Sequence, residues 1–362
     1  MTALSPQPPT ANNIVVSSRV RLARNLEGHP FPGWAKKADR IRVIEIIRPV
    51  VQSMKEMEGA FSETMDNLSA IEKQVLVERH LISREHAAKN VGSAIIINHA
   101  GALAVMINEE DHLRMQAIMS GFKLSEVYQL IDQFDTKLSD KLPFAFSLKL
   151  GFLTACPTNV GTGIRASAML HLPALLLLEH INKIVQAVNK LGLAVRGLYG
   201  EGTETLGNLF QISNQTTLGE KEVDILERLS KVITEIIKHE QNARLTLLEK
   251  NPRMVYDHIG RAYGILANAQ TITSKETMNL LSMLSLGIDL GLFNDLTHAM
   301  VNQVFMDTQP AHLQRNHNNQ KLLAEDRDGL RADYIRSKLV AVRPPKFVIP
   351  PSKTQGEKDE TP

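Results

Sequence analysis

Cys156 is the only cysteine in 362 residues, and it stands in the stretch Thr154 to Leu175, TACPTNVGTGIRASAMLHLPAL. Pro157 follows it, then Gly161 and Gly163 bracketing Thr162, then Arg165. A lone thiol, a glycine turn and an arginine ahead of small and apolar residues suited to a helix predict an anion-handling site. Four more arginines stand beside apolar runs or glycines. Arg19 and Arg21 share one face of IVVSSRVRL (Ile14 to Leu22), Arg114 follows Glu109-Glu110-Asp111, and Arg196 opens RGLYGEG. Guanidinium forks match phosphate oxygens in pairs and stay charged. Together the five could cage a triphosphate and neutralise charge spread over a transferring phosphoryl group.

Glu110 and Glu201 fit the same picture. A free guanidinium is protonated at neutral pH and is a poor nucleophile. A carboxylate pair can grip it and take a proton as its nitrogen attacks. Cys156, near these arginines, could sit as a thiolate and add negative charge beside such a substrate. Catalysis would then be alignment plus electrostatics, with no covalent intermediate. There is no GxxxxGK[ST] loop and no HRD/DFG set, so phosphate would be held another way.

Plainer readings stand beside these. Arg19 and Arg21 on an exposed edge strand would be solvated charges. Three acids in a row can open a helix, with Glu110 and Arg114 as an i,i+4 pair. His80 in an apolar run is more often structural than functional.

The elements that must position these residues follow from periodicity. Residues 1–12 are polar, Pro-rich and expected to be disordered. The strand from Ile14 is expected to turn Val15, Ser17, Arg19 and Arg21 one way and Val16, Ser18, Val20 and Leu22 the other. Residues 36–60 read as a helix on Ile41, Ile44, Ile47 and Val51. Leu76 to Ile82 reads as a short strand, Ser93 to Asn108 as a hairpin turning at His99–Gly101, and Gly192 to Leu198 and the GNLFQISN run as further strands. From Glu220 strand signals thin out. Val223, Leu226, Leu229, Ile233 and Ile236 mark a first helix, Thr273 and Glu276 a capping box for another, and residues 295–307 and 324–340 two more. The predicted domains are 13–222, which is α+β, and 223–342, which is helical, with a linker-like tail over 343–362.

Composition sets limits. Apolar residues reach 43% of the chain, enough for real cores, and a net charge of +2 does not nominate a nucleic-acid binder. One cysteine excludes an internal disulfide and favours a reducing compartment. The N-terminus has no basic flank or apolar core of a signal peptide, and the longest apolar run is too short for a bilayer, so a cytoplasmic protein is expected.

Four ordered motifs carry a resemblance. SSRVRLAR (Ser17–Arg24), NEEDHLR (Asn108–Arg114), CPTNVGTGIRAS (Cys156–Ser167) and RGLYGEGTE (Arg196–Glu204) resemble those of the ATP:guanidino phosphotransferases, the family of creatine and arginine kinases. Within it the chain is most similar to the bacterial McsB-type protein-arginine kinases. It starts almost at SSRVR, without the helical domain that precedes this motif in small-substrate relatives. It also carries Arg327-Asp328-Gly329-Leu330-Arg331-Ala332, which fits an RDxxRA motif.

The resemblance implies a phosphagen-kinase-like fold, an antiparallel sheet flanked by helices, followed by an all-helical domain. It implies that Ser17, Ser18, Arg19, Val20, Arg21, His80, Arg114, Arg165, Ala166, Ser167, Ala168, Met169 and Arg196, with Gly197, Leu198, Tyr199, Gly200 and Glu201, contact ATP, which brings Mg2+. Glu110 would be the main base, Glu201 the second clamp and Cys156 the thiol on the substrate side. Arg327, Asp328, Gly329, Leu330, Arg331 and Ala332 would bind a phosphoarginine; the plainer reading is a helix with Asp328–Arg331 as an i,i+3 pair. Implied partners are arginine-bearing protein substrates, a zinc-binding activator, a Clp-type unfoldase or protease, a stress-gene repressor and a second copy of the chain. A kinase of free small guanidines, or a phosphoarginine-binding adaptor with a mainly structural kinase part, remain alternatives.

Overall fold

Val15–Arg24 (β1) lies at the centre of the protein, not at an edge. The computed structural model describes residues 11–197, 205–317 and 322–347. Its main sheet has eight antiparallel strands in the order β2-β3-β4-β5-β1-β8-β10-β9. These are β2 Phe61–Thr64, β3 Ala94–Ile97, β4 Leu103–Ile107, β5 Leu113–Ser120, β8 Ile164–His171, β9 Leu193–Gly197 and β10 Leu209–Asn214. A separate small hairpin pairs β6 Phe146–Ser147 with β7 Gly151–Phe152. The helices are α1 Ala11–Ile14, α2 Lys37–Gln52, α3 Ala70–Glu78, α4 Arg84–Ala87, α5 Leu124–Ser139, α6 Pro173–Leu177 and α7 Ile181–Lys190. Then follow α8 Glu222–Lys250, α9 Pro252–Asn268, α10 Ser274–Asp289, α11 His298–Asp307, α12 Pro310–Asn316 and α13 Ala324–Leu339. No described helix is long and apolar enough to cross a membrane.

Register decides what each face of the sheet carries. Val20 lies opposite Ala166 on β8 and Ala117 on β5, and Leu22 opposite Ile164 and Met115. All six are buried, and α5 and α8 cover this face through Phe134, Ile131, Ile225 and Leu229 in one continuous core. Each of these side chains larger than alanine contributes roughly 1.5–3 kcal/mol of burial. The opposite face holds Ile95, Ile97, Ala104 and Met106 under Val77, Leu81 and Ile82 of the α3–α4 segment, a second and smaller core. Beyond that cover the same face is open and carries the arginines.

The described residues from Glu222 to Leu339 are mainly helical, as the periodicity predicts. Ile225, Leu226, Leu229, Ile233 and Ile236 of α8 are buried, whereas Val223 is exposed. Thr273 caps α10 by accepting from the Glu276 amide. Residues 343–347 pack on the bundle rather than trailing from it. Arg343 pairs with Asp295, the Lys346 amide donates to the Leu292 carbonyl, and Phe347 stacks on Tyr256. Residues 348–362 and 1–10 lie outside the described part.

Several local expectations are corrected. Leu76 to Ile82 is not a strand. Ser69 and Glu72 cap each other reciprocally and start α3, and its valines serve a helix face. The helix predicted over 36–60 ends at Gln52, and Val43 rather than Ile41 faces the core. A bulge between Val15 and Ser17 buries Val15 and exposes Val16, the reverse of simple alternation. Residues 164–171 form a strand, not a helix. Ala166 and Ala168 alternate with Arg165 and Ser167, and pairing on both sides outweighs helix propensity.

Candidate active site

Strand register brings the five arginines to one face. Arg21 lies opposite Arg165 on β8 and Gln116 on β5, and Arg19 opposite Ser167. Ala23 faces Arg114, which puts Arg114 two residues from Gln116 on the same side. Arg196 lies opposite Gln211, which in turn faces Met169. Gln211 accepts from Arg19 Nη2 at 3.0 Å.

This is a crowded cationic surface. Burial, then Arg114, pushes Arg19 down to about 10. Burial, then Arg19, Arg114 and Arg165, lowers Arg21 well below its usual range, with Glu109 the opposing influence. The Arg21 Nε is buried with no hydrogen-bond partner. Arg165 is lowered by burial, then by Arg196 and Arg114, while Cys156 and Glu110 pull it back up. Charges of one sign held this close call for an anion.

Arg114 has a counter-ion that was not singled out in the sequence. Glu109, buried, accepts from Arg114 Nη1 at 2.8 Å and from the Ser83 hydroxyl. Burial would lower Arg114, but Glu109, Glu110 and Asp111 outweigh it and hold the guanidinium above its usual range. Glu110 stands 4.0 Å from the same nitrogen and is 42% exposed, so it is free to reach a ligand. Burial, then Asp111, raises the Glu110 carboxyl. Glu109–Asp111 is a turn joining β4 to β5, not the start of a helix.

His80 belongs to the loop after α3, with φ of 56°, and Gln116 donates to its carbonyl at 2.7 Å. Burial, then Arg19, lowers the imidazole to about 4, so it presents a neutral ring to the arginine face.

The loops around the acidic turn are tied together by Asp111. One of its oxygens accepts from Asn25 Nδ2 at 2.6 Å and from the Ala155 amide at 2.7 Å. That carboxylate holds the end of β1, the acidic turn and the Cys156 loop in one arrangement. Next to it His112 Nδ1 accepts from the Leu26 amide, and Nε2 lies 3.1 Å from the Pro30 carbonyl. Cys156 Sγ is 3.1 Å from Thr158 Oγ1. Gly163 has φ of +68°, and a Cβ there would meet Arg24 Nη1 at 2.6 Å and the Ala23 carbonyl at 2.7 Å. Arg24 itself is buried, donating to Asp135 at 2.7 Å with Phe152 under its guanidinium. A cavity of about 640 Å³ opens between Arg21, Arg114, Glu110, Glu85, Trp34 and Ala155.

The structure therefore gathers Ser17, Arg19, Arg21, His80, Glu110, Arg114, Cys156, Arg165, Ser167, Met169 and Arg196 around one face and its rim. Ser18, Val20, Ala166 and Ala168 point into the core. Ser18 is used there, donating to the Gly121 carbonyl and accepting from the Lys123 amide. Gly197 ends β9, and Leu198, Tyr199, Gly200 and Glu201 lie outside the described residues. Glu109, Asp111, Asn25, Ser83 and Gln211 were missed. Only the adjacency of Glu109 and Asp111 to Glu110 signalled two of them; the others become visible only through register and loop contacts.

The Arg327–Ala332 run lies on α13. Arg331 is buried, donating to the Thr308 carbonyl at 3.0 Å, the Ile272 carbonyl at 2.8 Å and Asp328. The i,i+3 pair expected of a plain helix is present, within a larger set of bonds. Gly329 and Leu330 are half-buried, and Arg327 Nη1 approaches the Leu322 carbonyl at 3.5 Å.

Residues 42–243 match the family described as ATP:guanido phosphotransferase, C-terminal catalytic domain, and residues 252–349 the protein-arginine kinase McsB C-terminal domain. The chain is 43% identical to a protein-arginine kinase of Halothermothrix orenii over 90% of its own length and 93% of the relative's. It is 45% identical to one from Brevibacillus brevis over 91% and 93%. Among solved structures, a lombricine kinase superposes with a TM-score of 0.57 at 22% identity, covering 66% of this chain and 72% of that one, a likeness of fold. The duplicated taurocyamine kinase of Schistosoma mansoni gives 0.59 at 25% identity, covering 83% of this chain and 41% of that one.

Proposed function

Because the chain belongs to the ATP:guanido phosphotransferases, with protein-arginine kinase relatives aligned along 90% of its length, we propose that it moves the γ-phosphoryl group of ATP to arginine side chains of proteins. The observation that carries this reading is the set of arginines that register fixes on one face, beside an acidic turn and an open cavity.

The triphosphate would lie along Arg19, Arg21, Arg114, Arg165 and Arg196, with its leaving charge spread among guanidinium forks. The described residues hold no group of three or more His, Cys, Asp or Glu side chains placed for a metal. Mg2+ would enter on the phosphate oxygens and help neutralise them. Glu110 would grip the acceptor guanidinium and take its proton as nitrogen attacks phosphorus in line. Glu201 would be the second clamp. Cys156 is close enough to Arg165 to act on its charge, and its sulfur would stand between donor and acceptor. Asp111 would hold the loops around these groups, and Glu109 would hold Arg114.

By family likeness, phosphoarginine marks would send proteins to a Clp-type protease in the cytoplasm during stress, under a zinc-binding activator and acting also on a stress-gene repressor. The chain would work as a homodimer. Arg327 to Ala332 would read phosphoarginine, with the buried bonds of Arg331 fixing the helix that displays Arg327.

Incubation with ATP and an arginine-rich protein should give acid-labile phosphate on arginine. Glu110→Ala should abolish it; full activity in that variant sinks the mechanism. A free-arginine assay separates the phosphagen-kinase alternative. Phosphoarginine binding without turnover would favour the adaptor.

A further inference from the structure

Trp34 is the only tryptophan of the chain, and it is 91% exposed at the rim of the acceptor cavity. It does not ride on a loose loop. Its own amide and that of Ala35 both donate to the Phe31 carbonyl at 2.9 Å. The Phe31 ring meets His112 edge-on at 6.1 Å, and His112 Nε2 holds the Pro30 carbonyl. His112 follows directly on Glu110 and Asp111, so the indole is tied to the acidic turn.

The β6–β7 hairpin is a second exposed apolar element on the same anchor. Leu148 at its turn is 99% exposed, and Phe146 and Leu150 are exposed with it. Its stem is firm: the Ala145 amide donates to the Asn25 carbonyl at 2.7 Å, the Phe146 and Phe152 rings pack at 5.1 Å, and Phe152 lies under Arg24. Asn25 is the residue that Asp111 ties to Ala155. Both apolar elements therefore grow from the scaffold that places Glu110.

Leaving a tryptophan and a leucine almost wholly in water forgoes burial that the rest of the fold obtains. Such residues on firm supports mark a binding surface, and tryptophan is the commonest energetic anchor. The cavity that Trp34 borders holds Glu85, Glu109 and Glu110 beside Arg21, Lys89 and Arg114, so it offers carboxylates to an arginine next to cations for phosphate. An extended peptide puts alternate side chains on opposite sides. When its arginine enters the cavity, its neighbours lie over the rim.

We propose that Trp34 and the Leu148 hairpin tip form an apolar rim that docks the residues flanking the acceptor arginine, so that the enzyme selects extended segments in which arginine has apolar neighbours. This rests on the protein-arginine kinase reading.

The test compares two short peptides, each with one arginine, flanked at two residues' distance by leucine and phenylalanine in one and by serine in the other. Full-length protein, Trp34→Ala and Leu148→Ser are assayed with ATP. The unmodified protein should prefer the apolar-flanked peptide by about tenfold in kcat/KM. Trp34→Ala should remove most of that preference through KM, and Leu148→Ser part of it. Equal use of both peptides by the unmodified protein, or equal losses on both in the variants, overturns the rim. If the unmodified protein phosphorylates neither peptide nor an arginine-rich protein, the kinase reading falls and the rim with it. Light scattering runs alongside. A change of assembly mass in both variants makes the patch a contact between copies and overturns the proposal.

Discussion

Arg21→Met should make the unliganded protein more stable while destroying its activity. Arg21 faces Arg19, Arg114 and Arg165, against one opposing carboxylate, Glu109, and its Nε is buried without a partner. At an effective dielectric of about 20, each pair of charges roughly 7 Å apart contributes about 2.4 kcal/mol. Three repulsions and one attraction leave a net of about 5 kcal/mol, before counter-ions in the open site reduce it. Methionine keeps the length of the side chain and needs no partner. Replacing a whole buried ion pair with apolar residues is often neutral or gains about 1–4 kcal/mol, and here the group removed faces mostly like charge. We expect roughly 1–3 kcal/mol, or a melting temperature higher by about 1–4 °C for a protein of this size. The gain should be greatest at low ionic strength, where repulsion is least screened. Without this guanidinium, the triphosphate loses its central fork. ATP should raise the melting temperature of the unmodified protein and leave that of Arg21→Met unmoved, and phosphotransfer should fall about a thousandfold. The assay is thermal melting with and without nucleotide at two salt concentrations. A variant that melts several degrees lower without ligand would show that the arginines are satisfied where they stand, and the reasoning would fail.

Asp111→Ala should leave the Ala155 amide unpaired and take one of two acceptors from Asn25 Nδ2, destabilise by about 1–3 kcal/mol and lower kcat about ten- to a hundredfold, read by urea unfolding and turnover. The Glu110 carboxyl is raised above 4.5 and must be ionised to accept a proton, so kcat/KM should rise with pH through a limb above that value; Asp111→Asn, by removing a neighbouring charge, should move the limb down. Stability should fall between pH 6.5 and about 4, because His80, His86 and His112 are each lowered to about 4 by burial. Their folded pKa lies below the unfolded one, so the unfolded chain takes up protons first as pH falls; flat urea midpoints over that window would refute this. Gly163→Ala should cost about 1–3 kcal/mol, since a side chain at φ of +68° is strained and meets Arg24 and the Ala23 carbonyl, and a neutral melt would contradict it.

The arginines were legible because alternation in β1 is strict after the bulge, and because Arg165 and Arg196 stand beside glycines or strand ends. Their meeting was legible only through motif order, since pairing β1 with both β5 and β8 joins residues 89 to 155 positions apart. The acidic turn was read correctly at Glu110 and incompletely around it. Three adjacent carboxylates look alike in a sequence, and burial assigns Glu109 to Arg114, Asp111 to the loops and Glu110 to solvent. The 164–171 stretch misled because alanines and a methionine favour helices in isolation, while neighbouring strands decided otherwise. The helical half read well, as amphipathic spacing over whole turns survives any tertiary context.

The bulge at Val16 acts as a length buffer. From Ser17 onward, a slip of one residue would exchange Arg19 and Arg21 for Val20 and Leu22, turning the cage inside out in a single step. The extra residue sits just upstream, where β1 leaves α1. It can absorb an added or missing residue before the count begins to matter. The N-terminal segment is thereby free to drift in length over generations, while the frame in which the arginines are written stays fixed.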